Sequence, residues 1–216
     1  MTDEELERNV ADELRWDPAV GAARIAASAA GGTVNLRGTV GSVREKREAQ
    51  NAAERVHGVV LVDNLLVIRI RVEHRRADAA LRGDVLRALM LDALVPATVD
   101  ASVKDGFVTL GGTVDWHYQR DEAVFIAGNV RGVTGIRNDV YLTSPAPFAG
   151  EVKFAIRSAI ERAAAVAAGA IGVETLNGAA ILTGSARSRA ERDSAMAAAW
   201  AAPGITRVED RIDIVY

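Results

Sequence analysis

Three glycines, Gly38, Gly112 and Gly184, lie 74 and then 72 residues apart, inside segments of one kind: GTVNLRGTV (32–40), GFVTLGGTV (106–114) and GAAILTGSA (178–186). The same offsets relate VHGV (56–59), VRGV (130–133) and APGI (202–205), and again Asn64, Asn138 and Asp210. Landmarks that recur together at a fixed period mean copies of one supersecondary unit. The chain of 216 residues is therefore one small fold written three times.

Each copy opens on an amphipathic helix. Leu6, Val10 and Leu14 stand at i, i+4 and i+8, as do Leu81, Val85 and Leu89, and Ile156 and Ile160 keep the spacing in the third copy before an alanine-rich extension. A short strand follows, then a two-residue turn: Gly31-Gly32, Asp105-Gly106 or Asn177-Gly178. These pairs tolerate positive φ at both turn positions, which a type I′ hairpin demands. The glycine-rich GGTVNLRGTVG (31–41) is thus a hairpin turn and strand, with no phosphate loop in it. The next strand alternates, as Val108, Leu110 and Val114 do around Gly112, and Gly38, Gly112 and Gly184 accommodate a bulge or a helix packed closely over the strand, or else the close approach of a ligand to the backbone.

A second helix begins where Ser42 precedes Glu45, and Ser188 precedes Glu191, by three residues, the spacing of a capping box. It is expected to stop at Gly58, Gly132 or Gly204. A last strand alternates through Val62, Leu66 and Ile68, through Ile136, Val140 and Leu142, or through Val208, Ile212 and Ile214. The expected class is α+β: three tandem α-β-β-α-β units, each a three-stranded mixed sheet with two helices packed on one face. The expected domains are 1–72, 77–143 and 150–216. RVEHRRADAAL (71–81) joins the first pair, and TSPAPFAG (143–150), with Pro145 and Pro147, reads as a semi-rigid spacer.

Composition narrows the chemistry. The net charge of −3 argues against a general nucleic-acid binder, which needs a basic excess to displace counterions. The absence of cysteine removes disulfides, thiolate metal sites and thiol nucleophiles. The start, MTDEELERNVADEL, has neither the basic stretch nor the apolar core of a secretory signal, so the expectation is a cytoplasmic protein, peripheral to the membrane, or a periplasmic one had a leader been removed.

The repeating unit resembles the BON domain (bacterial OsmY and nodulation). The likeness rests on VNLRGTV with GVVLVDNLLV in the first copy and VTLGGTV with GVTGIRNDVYL in the second. The third is a weaker match, with AILTGSA and with Asp210 in place of Asn. The resemblance implies a bacterial protein linked to osmotic stress, attaching to phospholipid membranes. A relative with an added LysM domain binds potassium, but no LysM segment is visible here.

No set of residues suggests an enzyme. His57, His74 and His117 fall at unrelated positions and share no metal-ligand spacing, and the cap spacing of Ser42 accounts for it without chemistry. Catalytic residues, metals and cofactors are all expected to be absent. The candidate site is an anion- or lipid-binding one at the starts of the second helices. Arg44, Lys46 and Arg47, then Arg120, then Arg187, Arg189 and Arg192 stand where a helix dipole disfavours cations. A bound anionic headgroup would offset this and meet free amides. The interleaved Glu45, Glu48 and Glu191 permit the plainer reading of a solvated mixed-charge face.

The second copy carries Trp116 in place of a cap serine, within DWHYQR (115–120). Trp116 and Tyr118 beside Arg120 read either as burial against a neighbouring unit or as an interfacial anchor. Trp200 reads as core. Basic and acidic residues number 10 and 11 in 1–72, 8 and 10 in 73–143, and 8 and 8 in 144–216, so any membrane contact must be local. The partners that fit are anionic phospholipid, or another protein or the chain itself. The alternative is a scaffold or a small-ligand or cation-binding (K⁺-type) module in osmotic stress.

Overall fold

The computed structural model describes residues 1–70, 75–143, 149–162 and 171–215. His74, the prolines at 145 and 147 and the alanine-rich stretch 163–170 lie outside the described residues. The first repeat runs α1 (Asp3–Trp16), β1 (Ile25–Ala30), β2 (Thr33–Val40), α2 (Val43–Glu54) and β3 (Leu61–Ile68). The second runs α3 (Asp78–Leu91), β4 (Val99–Lys104), β5 (Phe107–Val114), α4 (His117–Asn129) and β6 (Gly135–Leu142). The third runs α5 (Ala149–Arg162), β7 (Ile171–Leu176), β8 (Ala179–Ala186), α6 (Arg189–Trp200) and β9 (Arg207–Ile214). Each repeat holds one three-stranded sheet, ordered β1-β2-β3, β4-β5-β6 and β7-β8-β9. The chain also divides into two compact units, Met1–Ala93 with Asp100–Leu110 and Ala123–Asp139, and Leu94–Val99 with Gly111–Glu122 and Val140–Tyr216.

The sheets are mixed, as the sequence implied. β1 pairs antiparallel with β2 and β2 parallel with β3; β7, β8 and β9 repeat the pattern, with Ile25↔Gly38 matched by Ile171↔Gly184. All three hairpin turns have positive φ at both positions: 55° and 81° at Gly31-Gly32, 53° and 77° at Asp105-Gly106, 48° and 75° at Asn177-Gly178. The turn pairs were legible because only a few residue types accept that backbone.

In the first repeat Leu6, Val10 and Leu14 of α1 meet Val34, Leu36 and Val40 of β2, with Ala49, Ala52 and Ala53 of α2 closing the layer. The third repeat builds the same layer from Ile156, Ile160, Leu182, Ala195, Ala199 and Ile212. The second helix presents alanines inward, which lets it approach the sheet closely. Each buried Leu, Ile or Val side chain stabilises its repeat by about 1.5–3 kcal/mol. The opposite face of the first sheet is open, and Leu61, Leu65 and Val67 of β3 are exposed there.

Gly38 pairs with Ile25 across the hairpin, and a Cβ there would run into the carbonyl oxygen of Arg24. Gly112 stands in the same relation to the carbonyl of Thr98. The recurrent strand glycine thus admits the backbone that leads into the first strand. The second helices stop earlier than their glycines suggest: α2 ends at Glu54 and α6 at Trp200, and a further turn precedes Gly58 (φ 89°) and Gly204 (φ 77°).

Two features anchor α1. Thr2 and Glu5 form a reciprocal capping box, and the Thr2 backbone N–H holds the Glu5 carboxyl below the usual carboxylate range. Arg55 donates to Asp17 (2.8 Å) and Glu13 (3.1 Å). That contact, followed by the Ala19 N–H, lowers the pKa of Asp17.

Candidate functional site

The starts of α2, α4 and α6 are equivalent positions of one repeat. At α2, Ser42 Oγ accepts from Glu45 N–H at 3.0 Å, while the Glu45 carboxylate turns away from Ser42 to accept from Gly41 N–H (2.6 Å) and Gly21 N–H (2.9 Å). At α6, Ser188 accepts from Glu191 N–H, and the buried Glu191 carboxylate accepts from Arg187 N–H. The spacing promised a reciprocal box; each glutamate instead satisfies the amide one residue before the serine. At each start one first-turn amide is taken by the serine and the amide before the serine by the glutamate, and a carboxylate lies where an anionic headgroup would approach.

The basic residues are spent in a similar way. Lys46 Nζ donates to the Leu66 carbonyl at 2.8 Å, binding α2 to the edge strand β3. Its counterpart Arg192 bonds Asp210 Oδ2 at 2.6 Å. Here the repeated Asn/Asp landmark gains a purpose. Asn64 donates to the Lys46 carbonyl and accepts from Leu66 N–H, and Asp210 accepts from Ile212 N–H, so each blunts an edge strand while tying it to a helix. With Asn at the landmark, the amide supplies the donor to the helix and the lysine goes to a carbonyl. With Asp, a donor must come from the helix, and Arg192 provides it.

Arg47 lies 4.2 Å over the Phe125 ring and donates to Asn129 at 3.1 Å. Arg187 pairs with Glu191 and Arg189 with Asp193, each at 3.7 Å. Arg44 is exposed. Arg120, which shares the repeat position of Lys46 and Arg192, is half-buried and its Nε has no hydrogen-bond partner. Several of the candidate cations are therefore structural ties within their own repeats.

The start of α4 differs. Trp116 stands where the others have serine, and Gln119 stands where they have glutamate, its Oε1 accepting from the backbone N–H groups of Asp115 and Trp116 at 3.1 Å. Trp116 is 36% exposed and Tyr118 53%. The two line a groove of about 740 Å³ with His117, Asp121, Trp200 and the small side chains of Ala197 in α6 and Ala201 at its C-cap. The His117 ring stacks on Trp200 with centroids 3.7 Å apart, and its Nδ1 lies 2.8 Å from Asp121 Oδ2.

Trp200 packs against the core of the third repeat, as the sequence suggested, and is half-buried, so that it also lines this groove. It occupies the repeat position of Glu54 and Gly128, so its departure from the pattern was the available signal, as Trp116 was for its own position. Asp121 carried only an i,i+4 relation to His117. Among the described residues no group of three or more His, Asp or Glu side chains is placed to hold a metal ion, and no helix is long and apolar enough to cross a membrane.

Comparison with known proteins adds three findings. The model of the BON domain matches residues 2–70, 77–143 and 150–216. Osmotically-inducible protein Y of Escherichia coli (strain K12) is 36% identical over 112 residues, which are 50% of this chain and 56% of that protein, so the match spans about half of that relative. Two structures of CdsD, a structural protein of the type III secretion system of Chlamydia trachomatis, align at 15% and 14% identity with a TM-score of 0.28, covering 98% and 100% of this chain and 92% and 100% of theirs.

Proposed function

The chain belongs to the BON domain family, three copies of which fill nearly all of it, and we propose that it is a non-enzymatic protein of the osmotic stress response that attaches to phospholipid membranes through the aromatic start of α4. The stress link comes from its similarity to a protein named for osmotic induction. One observation carries the membrane link: Trp116 and Tyr118 are exposed where the other two repeats spend the same turn on a serine cap. Amphipathic aromatic rings favour the boundary between water and acyl chain.

The carboxylates of Glu45 and Glu191, seated at the starts of α2 and α6, turn the mode of attachment away from phosphate capture. Attachment rests on insertion of the aromatic rings, with exposed Arg44 and half-buried Arg120 as a secondary electrostatic contribution. Screening therefore weakens it only slightly, since salt removes exposed charge–charge terms and leaves apolar burial in place.

Vesicle flotation at low and high salt tests this. The expected result is binding that survives high salt and falls about tenfold or more in Trp116→Ala/Tyr118→Ala, while Arg187→Ala leaves it within about twofold. Absence of wild-type flotation on every vesicle, or loss of it with the arginine variants alone, would refute the reading.

A further inference from the structure

The groove at the start of α4 has features that a membrane anchor does not need. Trp116, Tyr118 and Trp200 line one volume, with the His117 ring stacked on Trp200, and the carboxylate of Asp121 is the acid on its wall. That carboxylate meets His117 through Oδ2 and is largely exposed, with 62% of its side chain accessible. One side of the groove comes from the last turn of α6, whose C-cap is Ala201, and the negative end of a helix dipole lies there. Aromatic faces, a carboxylate and a helix C-terminus all attract positive charge, and none prefers an anion.

We propose that this groove binds a quaternary ammonium group. The apolar walls suit the methyl groups of such a cation, which cannot donate hydrogen bonds and loses little hydration on entry. Ala197 and Ala201 leave the space that longer side chains would fill. The groove volume lies within the roughly 300–1,000 Å³ of small-molecule sites, so a trimethylated headgroup fits without opening the fold. A bare K⁺ or Na⁺ ion is not held here, because it needs a shell of oxygen ligands and the wall offers one carboxylate. His117 keeps Trp200 oriented by stacking and Asp121 oriented through Nδ1, which makes it a positioning residue.

The group has two sources, a free quaternary-ammonium solute or a choline lipid headgroup. The inference uses the surface on which the membrane reading rests, so the experiment separates them. The full chain is titrated with tetramethylammonium chloride, with sodium chloride at equal ionic strength as control, and followed by amide and indole NMR shifts. The expected result is saturable shifts confined to residues 116–121 and 197–201, including the Trp116 and Trp200 indoles. Asp121→Asn, an exposed change that leaves the core intact, should weaken binding about fivefold. Trp116→Ser should weaken it about tenfold, the effect of losing one aromatic face, and Trp116→Phe should restore most of it.

Shifts that fail to saturate, or that sodium chloride reproduces, overturn the proposal. Flotation on phosphatidylglycerol vesicles without a saturable tetramethylammonium response refutes the ammonium site and leaves the membrane reading standing. The reverse pattern supports the ammonium site with a free solute as its source and removes the membrane reading. Flotation that prefers phosphatidylcholine, together with saturation, supports the headgroup as source.

Discussion

The starts of α2 and α4 are the same turn of the same repeat, and they have been put to opposite uses. At α2 the polar groups are tied to the fold: Ser42 caps the helix, Glu45 accepts from the Gly41 and Gly21 amides, and Lys46 reaches across to the Leu66 carbonyl. At α4 a glutamine keeps the amide contacts without charge, Trp116 replaces the serine, and the Arg120 Nε is left without a hydrogen-bond partner. A cap serine is worth about 1 kcal/mol to a helix. The second repeat has relinquished that stabilisation for an exposed indole, and the α6 start, built like α2, shows that the fold did not require the exchange. Among repeated units, a position that departs from a satisfied local rule is where function is to be sought.

The comparison can be broken most severely at its premise, that the two repeats share one frame. Gly38→Ala and Gly112→Ala each place a Cβ against a carbonyl, at Arg24 and Thr98, in a left-handed backbone (φ 131° and 110°). Each is expected to cost about 3–4 kcal/mol. Hydrogen exchange of strand amides, which resolves the stability of separate regions, should show the loss in the first repeat for one and in the second for the other. Tolerance of alanine at one site alone would mean that the frames differ.

Next in size are the ties that consume the cations. Asp210→Asn removes the charge that Arg192 pairs with, and Lys46→Met removes the donor to the Leu66 carbonyl. Both should lower the stability of their own repeat by about 0.5–1.5 kcal/mol, read in the same exchange experiment. If either leaves stability unchanged and weakens vesicle binding, these residues belong to a binding surface after all.

Ser42→Ala should cost about 1 kcal/mol and Ser188→Ala a similar amount, by loss of the side-chain acceptor at each helix start. The smallest effect concerns pH and the first repeat alone. Asp17 has its pKa lowered from 3.8, so its contribution is fully present above that value and is lost as pH falls through the lower folded value. Urea midpoints should therefore drop between pH 5 and pH 3 by less in Arg55→Met than in the wild type.

The frame was legible from the sequence because it depends on residues whose backbone needs are narrow. Turn pairs such as Asn177-Gly178, the strand glycines and the i, i+4 apolar stripes each have few physical solutions. The site was half legible. Trp116 stood out because two other copies showed what its position ordinarily holds. At the basic helix starts, sequence gives the charge of Lys46 and Arg192 but not the strand carbonyl or carboxylate 18–20 residues away that they meet. Trp200 and Asp121 come from separate helices, and only folding brings them to the same groove.

One paired measurement on Trp116→Ser tests the central claim, that the second repeat forgoes a helix cap to expose a contact surface. The variant installs the cap of the other repeats, so thermal stability should stay within about 1 kcal/mol of the wild type or rise, while vesicle flotation falls about tenfold or more. A variant that loses stability and still floats like the wild type would show that Trp116 is packing, and would contradict the claim.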